Sequence, residues 1–169
     1  MVDKKKSDDT AKQAKSMVAE FGIESVYLKK LHVDIPKPAF TYKGKWEPQA
    51  KVALDSKHQS LGDTHYDVLM TVTVKVEMND EAVFEVVCET GGVFHAKDFP
   101  EAQLNEVLKT HCLNIIFPFA RQTISDAIVK AGFPVLHINP IDFHAQYRQH
   151  QEQQAKTADK SAGEVQGNS

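Results

Sequence analysis

No stretch of these 169 residues stays apolar for the roughly 18 to 20 positions that a bilayer-crossing helix requires. The lysine-bearing N-terminus, "MVDKKKSDDTAKQAK", has no apolar segment or small-residue cleavage site behind it, so no secretory leader is expected. Cysteine is scarce: Cys88 and Cys112 both sit inside apolar patterns, which excludes a disulfide framework and makes a reduced, cytoplasmic protein the default. Basic excess is lacking too. The formal net charge is −3, and residues 16–150 hold 13 basic against 17 acidic side chains, so nucleic acid is not expected as a partner.

Chemistry-bearing motifs are also missing. There is no phosphate loop, nucleophile elbow or zinc-protease helix motif, so no catalytic residue, cofactor or metal is expected. Among eight histidines, His144 and His150 are six apart and fall on different helix faces. His111 and Cys112 are neighbours, which separates them on a helix and leaves Cys112 a small buried thiol. His58 and His65 bracket a loop across which they can meet, and surface histidines are the reading favoured. Both ends lack anything to bury. Residues 1–15 are mostly lysine and aspartate, and the tail from Gln151 has no aromatic side chain. The expected division is a flexible extension over 1–20, a folded domain over 21–154 and a disordered tail over 155–169.

The middle of the chain is strongly patterned. In "HYDVLMTVTVKVEM" the even positions from Tyr66 to Met78 are apolar, while most odd ones from His65 to Glu77 are polar. "NDEA" turns the chain into "AVFEVVCET", where Phe84, Val86 and Cys88 face one way and Glu85 and Glu89 the other. Residues 49–58 alternate through Ala50, Val52 and Leu54, and "GIESVYLKKLHVDI" forms an earlier edge strand. Gly91-Gly92 predicts a bulge or a close backbone approach. Helices follow. Pro100 opens one, with Leu104, Val107, Leu108 and Cys112 at helical spacing, and Pro118 is expected to break or kink it. Gly132 caps its end, and a last helix is expected from Asn139 as N-cap, with Pro140 in its first turn. Strands followed by helices give an α+β fold: a four-stranded antiparallel sheet with a long kinked helix and a C-terminal helix on one face.

"CLNIIFPFARQTISDAI" is the greasiest segment, with only Asn114 polar between Cys112 and Ala120. A sheet covers one side of a helix, so the segment is expected to bury its remaining surface on a second subunit, through Ile115, Ile116, Phe119 and Ile124. A dimerising hotdog-type thioesterase with Glu101 or Glu106 as its carboxylate is a remote alternative, since its central helix precedes most of its strands. In the loop "PKPAFTYKGKW", Phe40, Tyr42 and Trp46 offer one wall of an apolar groove, with Phe143 and Tyr147 opposite. From Val76 to Ala96 there are five carboxylates and no lysine or arginine, so a self-repelling acidic patch is expected on the polar face.

The stretches "VYLKKLHVDIPKP", "KWEPQAKVALD", "YDVLMTVTV", "CETGGVF", "HCLNIIFPFARQTISDAI" and "FPVLHINPIDFHAQY" run from about Phe21 to Gln154 in an order that resembles the SecB family of bacterial export chaperones. The resemblance implies an ATP-independent chaperone without cofactor. It implies a homotetramer built as a dimer of dimers, unfolded precursor proteins as clients, and the export motor SecA as partner, with no insertion into the membrane. SecA docking is carried over to Asp34, Glu85 and Glu89. Lys30 and Val87 stand where the family's best-known member has acidic residues, and the chain is less acidic than is usual in the family. Some SecB-like chaperones serve toxin–antitoxin systems, which is the alternative role.

Overall fold

The computed structural model of the chain describes residues 18–163. Four strands, β1 (Glu20–Asp34), β2 (Gln49–Gly62), β3 (His65–Met78) and β4 (Glu81–Lys97), precede three helices, α1 (Glu101–Lys109), α2 (His111–Lys130) and α3 (Phe143–Gly163). The strands form one antiparallel sheet in the order β1-β4-β3-β2. The expected flexible ends lie outside the described residues up to position 17 and from 164. Helix α3 continues to Gly163, past the boundary expected at 154.

The alternation works as expected. Val68, Met70, Val72, Val74 and Val76 of β3 and Phe84, Val86 and Cys88 of β4 are buried under α2. Two-residue turns join the long hairpins. Asp63-Thr64 and Asn79-Asp80 all have positive φ, the conformation that matches strand twist and that Asn and Asp tolerate. Gly91-Gly92 is a close approach, not a bulge in its own strand. A Cβ on Gly91 would run into the Tyr27 ring, and one on Gly92 would lie 2.7 Å from Phe94 Cε2. In the β1–β4 pairing the irregularities fall instead in β1, between Ile23 and Ser25 and between Leu28 and Lys30.

The helices depart from expectation at three places. The interruption lies at Thr110 (φ −129°, ψ −69°), whose Oγ1 donates to the Glu106 carbonyl at 2.7 Å, and α2 runs unbroken through Pro118. Proline is tolerated there because Pro118 and Asn114 both face outward, where water can satisfy the carbonyl that loses its partner. Gly132 (φ +86°) does end α2: its own N–H reaches Val129 O, and the Phe133 N–H returns to Ile128 O at 3.2 Å. Helix α3, however, starts at Phe143. Its cap is Asp142, whose Oδ1 accepts from the Ala145 N–H at 2.9 Å. Asn139 and Pro140 stay in the preceding non-helical segment, which lets Leu136, Ile138 and Ile141 lie on the core.

The greasy segment is satisfied largely within its own chain. Ile116 and Ile124 are fully buried against the sheet and are not available to a second subunit. On the opposite side Phe119 and Val129 are exposed, at 53% and 48%, and Ile115 is half-buried beside the polar Asn114, Gln122 and Asp126. A charge at Ile116 would be buried without a partner, which costs several kcal/mol of a marginal total. Ile116→Asp should therefore lose its helical circular dichroism or its cooperative urea transition. Phe119→Asp should keep both.

Candidate client and docking surfaces

Aromatic side chains gather around Phe133. It is buried, with the Phe84, Trp46 and Tyr42 rings at 5.1, 5.9 and 6.1 Å, and the Tyr42 hydroxyl donates to Ala82 O at 3.1 Å. Phe40 stands out from this cluster, 83% exposed, with the Lys43 ammonium 4.1 Å from its ring centroid. Together these loop aromatics line a depression of about 440 Å³ that ends at Gly132-Phe133-Pro134.

Phe143 and Tyr147 do not form the opposite wall. Phe143 is buried edge-on against Phe117 at 5.7 Å, because it opens α3 and its ring anchors that helix to α2. Tyr147 is half-buried, accepts from Gln151 Nε2 at 3.0 Å, and lines a separate cleft of about 280 Å³ with Leu54 and Leu113. Between these two depressions lies a larger one of about 730 Å³. Its walls are Ala50, Val52 and Leu54 of β2 on one side and Leu136, Ile138 and Ile141 of the 133–141 segment on the other, with polar side chains of α3 above. The three depressions follow one another, since segment 133–141 leads from the first to the second and α3 borders the second and third. Sequence reasoning assigned no role to Leu136, Ile138 and Ile141. The available signal was Val135, Leu136 and Ile138 between Pro134 and Pro140, with Ile141 just beyond, a segment too short to show a helical period. Val52 and Leu54 were identified as core-facing, yet Val52 is 43% exposed because α2 packs chiefly on β4 and β3 and not on this edge strand.

The polar face is also rearranged. Asp34 pairs across from Glu85 and Lys30 across from Glu89, so the three residues assigned to docking stand together on the β1–β4 pair. The expected self-repelling patch is absent. Lys75 lies 3.0 Å from Glu85, Lys29 3.6 Å from Glu89, Lys51 3.1 Å from Glu77 and Lys37 2.8 Å from Glu81. Every one of these lysines comes from outside residues 76–96 and is brought in by strand pairing or by the segment after β1. The Glu81 carboxylate beside Lys37 accordingly raises that ammonium's pKa. Nearby, the Tyr27 hydroxyl donates to Asp67 Oδ1 at 2.8 Å, and Gln59 Nε2 donates to the other oxygen.

Among the described residues, the titratable groups singled out in the sequence lie apart. Both cysteines are free and buried. Burial pushes the Cys112 thiol up to about 12, and it raises Cys88 as well, against a weaker opposing hydrogen bond from Thr90. His58 does not meet His65. It pairs across from Val68 on the helix side, where burial and then the Lys109 ammonium lower its pKa. Glu101 and Glu106 are exposed on α1, and the helices follow all four strands, unlike the hotdog order.

The titrations give a signed expectation. Burial, together with the hydrogen bond to and charge of Asp67, raises Tyr27 from 10.0 to about 12, and burial raises Cys112 from 9.0 to about 12. In that window the folded chain holds more protons than the unfolded one, so stability is full below about pH 9 and falls as pH rises toward 12. Urea melts across this range should show the decline, and Tyr27→Phe should flatten its upper part.

The sequence model of the family described as preprotein translocase subunit SecB matches residues 12–154. The protein-export protein SecB of Halorhodospira halophila is 36% identical over 142 residues, covering 84% of this chain and 82% of its own. That of Methylobacillus flagellatus is 39% identical over 136 residues, covering 80% and 87%. Among solved structures, a SecB-like chaperone of Mycobacterium tuberculosis in complex with an antitoxin peptide shares the fold at TM-score 0.59 and 16% identity, over 72% of this chain and 90% of that one. No helix among the described residues is long and apolar enough to cross a membrane. With the family model matching residues 12–154 and protein-export relatives 36–39% identical over most of the chain, the chain belongs to the SecB family of protein-export chaperones.

Proposed function

We propose that the chain holds unfolded precursor proteins in the apolar track that runs past Phe40, over β2 and under α3, and passes them to the export motor SecA without nucleotide. The observation that carries this reading is the uncovered helix-side face of β2. Val52 and Ala50 face segment 133–141 across a cavity of about 730 Å³, and β2 is an edge strand whose outer side pairs with no other strand among the described residues. An extended client can place apolar side chains in the cavity and pair with that edge, which selects for exposed apolar segments and not for sequence. Export is favoured over toxin–antitoxin service because the relatives at 36–39% identity carry the protein-export name.

Assembly as a dimer of dimers is part of the proposal, with the Phe119–Val129 side of α2 as the contact between dimers. Native mass measurement should show four chains, and Phe119→Asp should lower the count. A wild-type monomer at micromolar concentration would contradict the assembly. For the track, the chaperone should delay refolding of a reduced, slowly folding precursor without ATP. Val52→Asp, on an exposed strand position, should weaken that capture about tenfold, since burying a valine contributes roughly 1.5 kcal/mol or more. Undiminished capture by a folded Val52→Asp protein would place clients elsewhere.

Docking of the motor's basic, zinc-bearing tail is assigned to Asp34, Glu85 and Glu89. The tail's cations must take Glu85 from Lys75 and Glu89 from Lys29, surface pairs that are each worth at most about 1 kcal/mol. Glu85→Lys with Glu89→Lys should abolish binding of a synthetic tail peptide while client capture persists. Added salt should weaken the native contact steeply. Unchanged affinity in the reversed protein would move the docking site.

A further inference from the structure

The largest cavity on the helix side differs from its neighbours in one respect. None of the residues lining it is Asp, Glu, Lys or Arg, in a chain where one residue in four is charged. The cleft beyond it carries Asp55 and Lys109, and the depression before it carries Lys45. Opposite the apolar wall of β2, helix α3 lines the cavity with Gln146, Gln149, His150 and Gln153. These positions are related as i, i+3, i+4 and i+7, which is one stripe of an α-helix.

Charge on this helix has a different side. Arg148, Glu152 and Lys156 follow one another four residues apart. At 3.6 residues per turn they fall about 200° to 280° around the axis from Gln146, whereas the cavity stripe stays within about 60° of it. Gln146 and Gln149 are exposed, and among the described residues neither side-chain amide has a hydrogen-bond partner.

Such amides suit one kind of ligand. Glutamine offers N–H donors and a carbonyl acceptor, the same groups that a peptide bond presents, so it can pair with main chain of any sequence. An extended client segment has two main-chain edges. One can pair with β2, and the other loses water beneath α3 and needs partners there. The three glutamines are spaced about 4.5 and 6 Å along the helix axis, at 1.5 Å per residue. Main-chain groups on one edge of a strand recur after about 6.6 Å, a difference that rotation about a glutamine side chain can span. A charged client side chain would lose its hydration in this cavity and find no counter-ion on the walls.

We infer that Gln146 and Gln149 hold the main chain of an extended, uncharged client segment, an inference that rests on the client track proposed above. Helix α3 then reads backbone, while β2 and segment 133–141 read apolar side chains. The row from Gln146 to Gln153 is about 10 Å long, so the requirement for no charge covers about three client residues.

One double substitution separates this role from plain apolar contact. If the roof only adds contact area, Gln146→Leu with Gln149→Leu should tighten binding. If the amides bond main chain, the pair should weaken it by at least about fivefold. Fluorescence anisotropy reads this, with full-length protein and a labelled nine-residue peptide alternating leucine and serine. Aspartate or lysine in place of the central leucine should each weaken binding by about tenfold. Methylating the peptide's main-chain nitrogens should weaken binding to the native protein more than to the double variant, which has already lost those bonds. Circular dichroism checks that the variant folds. In the unaltered protein, the side-chain amide NMR signals of Gln146 and Gln149 should move when peptide is added. Equal or tighter binding by the folded double variant, with binding still lost in Val52→Asp, would overturn the main-chain role and leave the client track standing. Binding that survives both changes would overturn the track as well. Rejection of only one sign of charge would overturn the requirement for an uncharged segment. Amide signals that move on dilution and not with peptide would mean that a second copy fills the cavity, and would also overturn the proposal.

Discussion

A single helix is too narrow for this sheet, and much of the molecule follows from that mismatch. An α-helix with its side chains is about 10 to 12 Å across, while four strands at about 4.8 Å spacing occupy some 14 Å between their outer axes before side chains are added. Helix α2 packs chiefly on β4 and β3, the central pair, and leaves the helix-side residues of both edge strands short of cover. On β2 these are Ala50 and Val52, which become one wall of the large cavity. On β1 they are Ile23, Leu28 and Leu31, each at least 40% exposed. The apolar surface proposed to hold clients is therefore sheet core that the helices do not reach, completed by the loop aromatics and segment 133–141.

The two faces then differ in how they attract partners. The helix side offers apolar area, a non-directional force suited to sequence-tolerant binding. The outer side offers carboxylates already matched to lysines from neighbouring strands, so a basic partner gains only the difference between its own contacts and those it displaces. A surface of this kind discriminates by geometry and by how many pairs are exchanged together, since each pair alone is weak.

The sheet was legible in the sequence because strand period is a local property. Val68 to Val76 alternate without interruption, and each of these even positions is buried. Gly91-Gly92 announced a close approach, although what approaches, Tyr27 and Phe94, depends on register. The errors arose where a local rule met a tertiary alternative. Pro118 was expected to interrupt the helix, but its outward position makes the missing hydrogen bond cheap, and the interruption moved to buried Thr110. Asn139 and Asp142 are both good caps, and the apolar demand of Ile138 and Ile141 decided between them. Ile116 and Ile124 looked available to a partner only because a helix that is apolar on several sides does not reveal which side its own sheet takes. The Glu–Lys pairs were out of reach, since they are consequences of pairing between strands distant in sequence.

Strand order has a further consequence, for the time course of synthesis. Strands β2, β3 and β4 form a meander whose pairings are joined by two-residue turns, whereas β1 is made first and pairs only with β4, the last strand made. Its register joins Asp34 to Glu85 and Glu20 to Lys97, so β1 has no complete partner until 63 more residues have followed it. At about 5 to 20 residues per second that interval is roughly 3 to 13 seconds, long compared with the microseconds in which a hairpin closes. During it, Ile23, Leu28 and Leu31 belong to an unpaired apolar segment emerging ahead of its sheet. On the proposed reading, a chaperone for unfolded chains passes its own first seconds as one.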